Sequence, residues 1–176
     1  SPATAAEFTL GADDAAVYVD APVNVTNLDP WWDQATDLTE VTDTEAGKLL
    51  KFSNFNYQGI ELVQQDLSGK DALHLDVWSA TTGTIKVGPV STSTGEHLIE
   101  FNVTAGQWNP IDLDMADFEA AGIDLTDIFQ IKFDTGTTPV SEFYVDNLVF
   151  TAPYVAPPAS PATAAEFTLG ADDAAV

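Results

Sequence analysis

The chain has 176 residues, with 28 acidic side chains against five lysines, no arginine and no cysteine, for a formal net charge of −23. That balance repels nucleic acid and anionic lipid, removes the guanidinium fork that grips phosphate or carboxylate, and excludes disulfides, thiolate metal sites and cysteine nucleophiles. A 45% hydrophobic share marks a globular chain of ordinary single-domain size, and no run of about 18 apolar residues offers a membrane-inserted span.

The chain begins with Ser1–Val17, SPATAAEFTLGADDAAV, which recurs letter for letter as Ser160–Val176. The offset is domain-sized, far beyond the roughly 20–50 residues of solenoid repeats. It reads as one repeat of a tandem array followed by the opening of the next. A duplicated tag is the alternative, but residues 1–17 run without a compositional break into Tyr18-Val19-Asp20. A strand is expected at Val17–Asp20, and then a polar loop at Asn27–Gln34, NLDPWWDQ. Strands follow at Leu49–Tyr57 and Gly59–Val63. Ala72–Ser79 alternates cleanly, with Leu73, Leu75 and Val77 on one face and His74, Asp76 and Trp78 on the other. Further strands are predicted at Thr84–Val90, His97–Thr104 and Asn109–Leu113, punctuated by Thr82-Gly83, Thr94-Gly95 and Ala105-Gly106. Asp114–Gly122, with acids first, alanines within and a terminal glycine, suggests one short helix. Phe129–Asp134, with Phe129, Ile131 and Phe133 inward, and Glu142–Phe150 complete the set. Short strands at this spacing predict an all-β, antiparallel β-sandwich over residues 1–150. Residues 151–159 form a Pro-rich linker, and residues 160–176 start the next identical repeat.

No acid pair stands out among 28, and His74 and His97 lack a nucleophile-elbow serine, so the chain does not read as an enzyme. HExxH and phosphate-loop motifs are absent. The aromatic residues say more. Trp31 and Trp32 sit in a polar loop, Trp78 shares a strand face with His74 and Asp76, and Tyr57-Gln58 stands between two strands. Flat indoles cover the C–H face of a sugar ring, while amides, carboxylates and imidazoles bond its hydroxyls. Trp32, Trp78, Tyr57, Gln58, His74, Asp76 and Trp31 therefore make a candidate saccharide platform, and Trp108 is expected to pack. Asp20 and Asp146, at opposite ends of the domain, are candidates for a structural calcium helped by the Asp43–Gly47 loop. Asn24-Val25-Thr26 and Asn102-Val103-Thr104 match glycan-acceptor sequons.

The succession DAAVYVDA, NLDPWWDQ, LLKFSNFNYQGIEL, DLSGKDALHLDVWSA, GQWNPIDL, LTDIFQIKFD and FYVDNLVF, over about Asp14–Phe150, is similar to non-catalytic β-sandwich modules. These are the modules appended to secreted bacterial laminarinase-type glycoside hydrolases. The resemblance implies a jelly-roll, galactose-binding-like fold and a carbohydrate-binding role with β-glucan such as laminarin as first ligand. It makes Trp32, Tyr57, Gln58 and Trp78 sugar contacts and Asp20 and Asp146 strand-end calcium ligands. The doubled tryptophan followed by Asp33 departs from the pattern.

A rival reading starts from the exact repeat. Acidic sandwiches joined by proline-rich linkers could form an extracellular fibre or adhesin stalk whose working surface is the contact between neighbouring copies. In that reading Phe8 and Leu10, with their counterparts Phe167 and Leu169, would lie along a neighbour's sheet edge. Both readings place the protein outside the cell or on its surface, with polysaccharide and copies of the same repeat as partners.

Overall fold

Alternating apolar residues fold into strands that bury one face each, and the computed structural model, which describes residues 1–153, pairs them into two six-stranded antiparallel sheets. The first sheet runs in the order β10 (Trp108–Asp114), β6 (Ala72–Trp78), β12 (Phe143–Thr151), β4 (Gly47–Ser53), β3 (Asp37–Asp43), with β1 (Ala15–Tyr18) also paired to β12. The second runs β2 (Val25–Asn27), β5 (Tyr57–Gln65), β11 (Ile128–Thr135), β7 (Gly83–Ser91), β8 (Gly95–Glu96), with β9 (Ile99–Val103) on β7. The expected all-β sandwich with one short helix is the fold found.

The inner faces meet in one core. Leu73, Leu75 and Val77 of β6 join Leu50, Phe52, Phe143 and Val145 from the first sheet, and Ile60, Ile85, Val87, Ile131 and Phe133 from the second. Phe52 lies at its centre, stacked on Phe143 at 4.6 Å and 4.9 Å from Phe133 of the facing sheet. Burying each such side chain contributes about 1.5–3 kcal/mol. Helix α1 (Met115–Ala120) turns inward Met115 and Phe118, and Gly122, at φ +100°, ends its turn.

Three local expectations change. A bulge between Ile128 and Gln130 shifts the register of β11, so Ile128 is buried where Phe129 was expected and Phe129 is only half-buried. The expected strand Leu49–Tyr57 breaks at Asn54, which adopts φ +51°. The edge strand β3 was not foreseen, because DLTEVTD buries only Leu38 fully.

Residues 1–14 form no strand and cross the outer face of the first sheet as a strap. Trp108 donates its indole N–H to the Thr4 carbonyl at 2.7 Å, Phe8 stacks on His74 at 4.6 Å, and Lys70 donates to the Asp13 carbonyl. Beneath the strap lies a second apolar cluster of Ala46, Leu49 and Tyr144, flanked by Val41, Trp78 and Trp108. The strap then enters β1, and Asp14 accepts from the backbone of Ala152 at 2.9 Å, tying the start of the sandwich to its exit. Phe8 packs on its own chain's sheet, where the buried His74, with its carboxylate partners, gives the ring a flat seat. Leu10 stays 47% exposed. Phe167, Leu169, most of the linker and the whole second copy lie outside the described residues.

Candidate functional site

Trp31 is 74% and Trp32 46% exposed, the most accessible aromatic side chains among the large exposed hydrophobics. Exposure of two adjacent indoles is costly unless the loop is held by other means. Here amides hold it. Gln34 donates to the Pro30 carbonyl at 2.7 Å and to the Gln58 side-chain oxygen at 3.1 Å, while its own oxygen accepts from the Trp32 N–H. Gln58, fully buried, donates onward to Asp29 at 3.0 Å and to its neighbour carbonyl at Gly59. The Asn56 side-chain oxygen accepts from the backbone N–H groups of Ala35 and Tyr57, and Tyr57 donates its hydroxyl to the Trp32 carbonyl at 2.6 Å. Asp33, at φ +62°, makes the sharp turn after the tryptophans.

Tyr57 also belongs to the outer face of the second sheet, where the loop ends. Register places Tyr57 beside Asp134 and Asp134 beside Lys86, with Lys86 opposite Glu100. Lys132 lies 5.9 Å from the Tyr57 ring centroid and pairs with Glu96 at 3.0 Å. The N–H and hydroxyl of Thr137 and the hydroxyl of Thr84, with Lys86 adding to them against a small burial cost, push Glu100 down to about 2, a fixed anion. At the floor, the Gln130 amide folds over Gly59, within 2.1 Å of where a Cβ would stand, and its Nε2 is buried without a partner. The result is an aromatic edge beside a strip of amides, carboxylates and two lysines, suited to stacking on a ring and bonding its hydroxyls.

Of the seven predicted platform residues, the fold brings together Trp31, Trp32, Tyr57 and Gln58, with Gln58 acting from beneath. It does not bring the other three. Trp78, His74 and Asp76 lie on the outer face of the opposite sheet, under the strap. Trp78 meets Tyr144 edge-on at 5.9 Å, and His74 and Asp76 are only 6% and 2% exposed, so neither reaches a polymer. Trp108 packs in the same cluster, as expected. Lys132, Asp134 and Gln130 escaped sequence reasoning because only sheet order sets β11 beside Tyr57. Gln34 and Asn56 were visible only as amides in a loop.

Asp20 and Asp146 are close enough to interact. Burial, reinforced by the charges of Asp20 and Asp76 and opposed by the Asn147 N–H at 2.8 Å, pushes Asp146 up to about 6. The position of a Cβ at Gly47 would lie 3.2 Å from the Asp20 carboxylate, so the end of the Asp43–Gly47 loop adjoins Asp20. Among the described residues, no group of three or more histidine, aspartate or glutamate side chains is gathered to hold a metal ion. Also among these residues, no helix is long and apolar enough to cross a membrane.

No protein family matches the sequence, and no curated protein matches it. Solved structures match the fold. The family 11 carbohydrate-binding module of a cellulosomal cellulase of Clostridium thermocellum is 16% identical, with a TM-score of 0.55 over 81% of this chain and 96% of that one. The family 30 module of another cellulosomal cellulase of Clostridium thermocellum is 13% identical, with a TM-score of 0.55 over 80% of this chain and 98% of that one. A variant of the family 29 module CBM29-2, solved with mannohexaose, is 14% identical, with a TM-score of 0.53 over 80% of this chain and 92% of that one.

Proposed function

We propose that the protein is a non-catalytic carbohydrate-binding module that takes β-glucan chains such as laminarin along the outer face of β5, β11 and β7, with Trp31 and Trp32 as stacking rings. The observation that carries this reading is the pair of exposed indoles on a loop locked by Gln34, Asn56 and Gln58. Two apolar rings held out to water by this many amide hydrogen bonds suit a ligand with a flat apolar face, such as a sugar ring. Tyr57, Lys132, Asp134 and Lys86 line the path of the chain, where they supply hydroxyl partners. The likeness of fold to carbohydrate-binding modules supports the same reading. An extracellular or cell-surface setting, with tandem copies giving avidity, accords with the exact repeat.

The test is native affinity electrophoresis through gels containing laminarin, other β-glucans, xylan or alginate. Retardation by a β-glucan is expected, with Trp32→Ala and Trp31→Ala each weakening it about tenfold or more, roughly 1.4 kcal/mol. Trp78→Ala, on the far sheet, should leave it unchanged. Equal retardation of wild type and both loop variants, or none in any gel, defeats the proposal.

Calcium is proposed as a structural ion at Asp20 and Asp146. Its support is the Asp146 carboxylate, raised first by burial and then by the charges of Asp20 and Asp76. A hard dication beside it would relieve that repulsion, with backbone carbonyls and water completing the oxygen shell.

A further inference from the structure

The strap does not close on the sheet along its whole length. Between Thr4, held by the Trp108 indole, and Phe8, seated on His74, it borders a cleft of about 540 Å³ at the edge strand β10. The walls are Thr4 and Glu7 of the strap, Gln107 of the turn before β10, Trp108 and Pro110 of β10, and Asp76 of β6, which register sets across from Pro110. A volume of this size takes a small organic molecule rather than a single ion. The charge of the walls is one-sided. Glu7 and Asp76 are carboxylates, and no lysine or histidine of the described residues joins them in the lining. Asp76 is only 2% exposed, and a carboxylate so buried needs its charge matched. Its Oδ2 accepts from Asn147 at 2.8 Å and faces His74 at 3.4 Å, but His74 lies closer to Asp112, at 2.8 Å. Its Oδ1 accepts no hydrogen bond from the described residues. On the other side, register sets Asp76 beside Asp146, a second buried carboxylate. A single imidazole is thus shared, and the charge of Asp76 is left short of its match.

We propose that this cleft binds a protonated primary amine on a small organic body, an amino sugar being the class its walls fit. The ammonium lies between Glu7 and Asp76, and the body rests on the Trp108 ring and Pro110. An ammonium donates three hydrogen bonds and accepts none, which matches a site whose charged groups only accept. Such charge-assisted bonds are about twice as strong as neutral ones, and the indole face attracts a cation in its own right. A neutral sugar would reach the same oxygens and leave the charge of Asp76 unmatched. An anion would be repelled. A bare metal ion suits the cleft less well, since among the described residues no three acidic or histidine side chains are gathered to hold one. The ligand would join strap to sheet, touching Glu7 on one side and Asp76 on the other. The site lies on the sheet opposite to Trp31 and Trp32 and does not depend on what those rings bind.

The test is a titration of the full chain with glucosamine at fixed ionic strength, followed by nuclear magnetic resonance at the Trp108 indole N–H. Glucose and N-acetylglucosamine serve as neutral analogues with the same ring. Glucosamine should shift the indole signal saturably, and the neutral analogues should bind about tenfold more weakly or less. Glu7→Gln should weaken glucosamine about threefold to tenfold, and Asp76→Asn about tenfold or more. Glu119→Gln removes an equal charge from an exposed position on α1 and should change nothing. Trp32→Ala, on the opposite sheet, should also leave glucosamine binding intact, whatever it does to β-glucan. Should Asp76→Asn fail to fold, Glu7→Gln, at an exposed position of the strap, decides alone. The proposal is overturned by the lack of a saturable shift, by equal binding of either neutral analogue, or by a Glu7→Gln chain that binds as the wild type does. An equal loss in Glu119→Gln also overturns it, since the amine would then be a counterion of the whole acidic surface.

Discussion

His74 sits where three elements meet. Its Nδ1 is 2.8 Å from Asp112 of β10, its Nε2 faces Asp76 of its own strand at 3.4 Å, and the Phe8 ring covers it. The Nε2 contact is ionic rather than a formed hydrogen bond, since that nitrogen is buried without a partner and Asp76 already accepts from Asn147 at 2.8 Å. Burial would lower the His74 pKa, but its two carboxylate partners outweigh burial and hold it above 6.5. A raised histidine stabilises the fold fully below the unfolded value and loses that contribution as pH rises through the folded one. Nuclear magnetic resonance should therefore show His74 titrating above the ordinary histidine value, and Asp112→Asn should bring it down. The same substitution should shrink the gain in thermal midpoint between pH 8 and pH 6. An unchanged titration would mean that Asp112 is too well solvated to matter. Sequence alone placed His74, Asp76 and Trp78 on one strand face correctly. Alternation says which residues share a face, but not which sheet the face belongs to, and so it joined Trp78 to Trp32 across the whole thickness of the sandwich.

Elements are legible where alternating apolar residues reach the core and read poorly where they do not. β6 and β7 match their expected bounds within a residue or so, because their alternating apolar residues all reach the core. β3 hides because an edge strand with one fully buried residue needs no apolar pattern, and the β11 bulge hides because an extra residue leaves no mark in composition. The consequence for stability is concentrated in the aromatic centre. Phe143 is fully buried, stacked on Phe52 and edge-on to Phe55 at 4.8 Å. Phe143→Ala should cost about 3–5 kcal/mol, read from urea unfolding. Val63→Ala, on a half-exposed position of β5, should fall within about 0.5 kcal/mol. Similar losses for the two would show that the core is not where the fold is held.

At the scale of the molecule, charge is the dominant property, and it separates general from specific effects of ions. Sodium chloride should raise the thermal midpoint by screening repulsion among 28 acids. Calcium at matched ionic strength should raise it further if Asp20 and Asp146 hold the ion, and Asp146→Asn should abolish that difference. A calcium effect no larger than that of matched salt would remove the ion from the account. Composition made this acidity plain from the outset. The meeting of the domain's two ends near Asp146 was anticipated from the sequence, and the pairing of β1 with β12 is what brings residues over a hundred positions apart together.

The joining of Asp14 to Ala152 has a mechanical meaning. Entry and exit of the sandwich lie side by side on antiparallel strands, so tension applied through the two ends of the described chain opens bonds in series rather than shearing a ladder at once. Thr4 would leave Trp108 first, then Phe8 its seat on His74, while β1, whose Val17 and Tyr18 belong to the core around Phe52, holds to β12. Releasing the roughly 14 residues of the strap at about 3.3–3.6 Å each gives on the order of 50 Å of slack per sandwich. A string of such domains would behave as a chain of low-force springs, lengthening under load and recoiling when each strap finds its seat again.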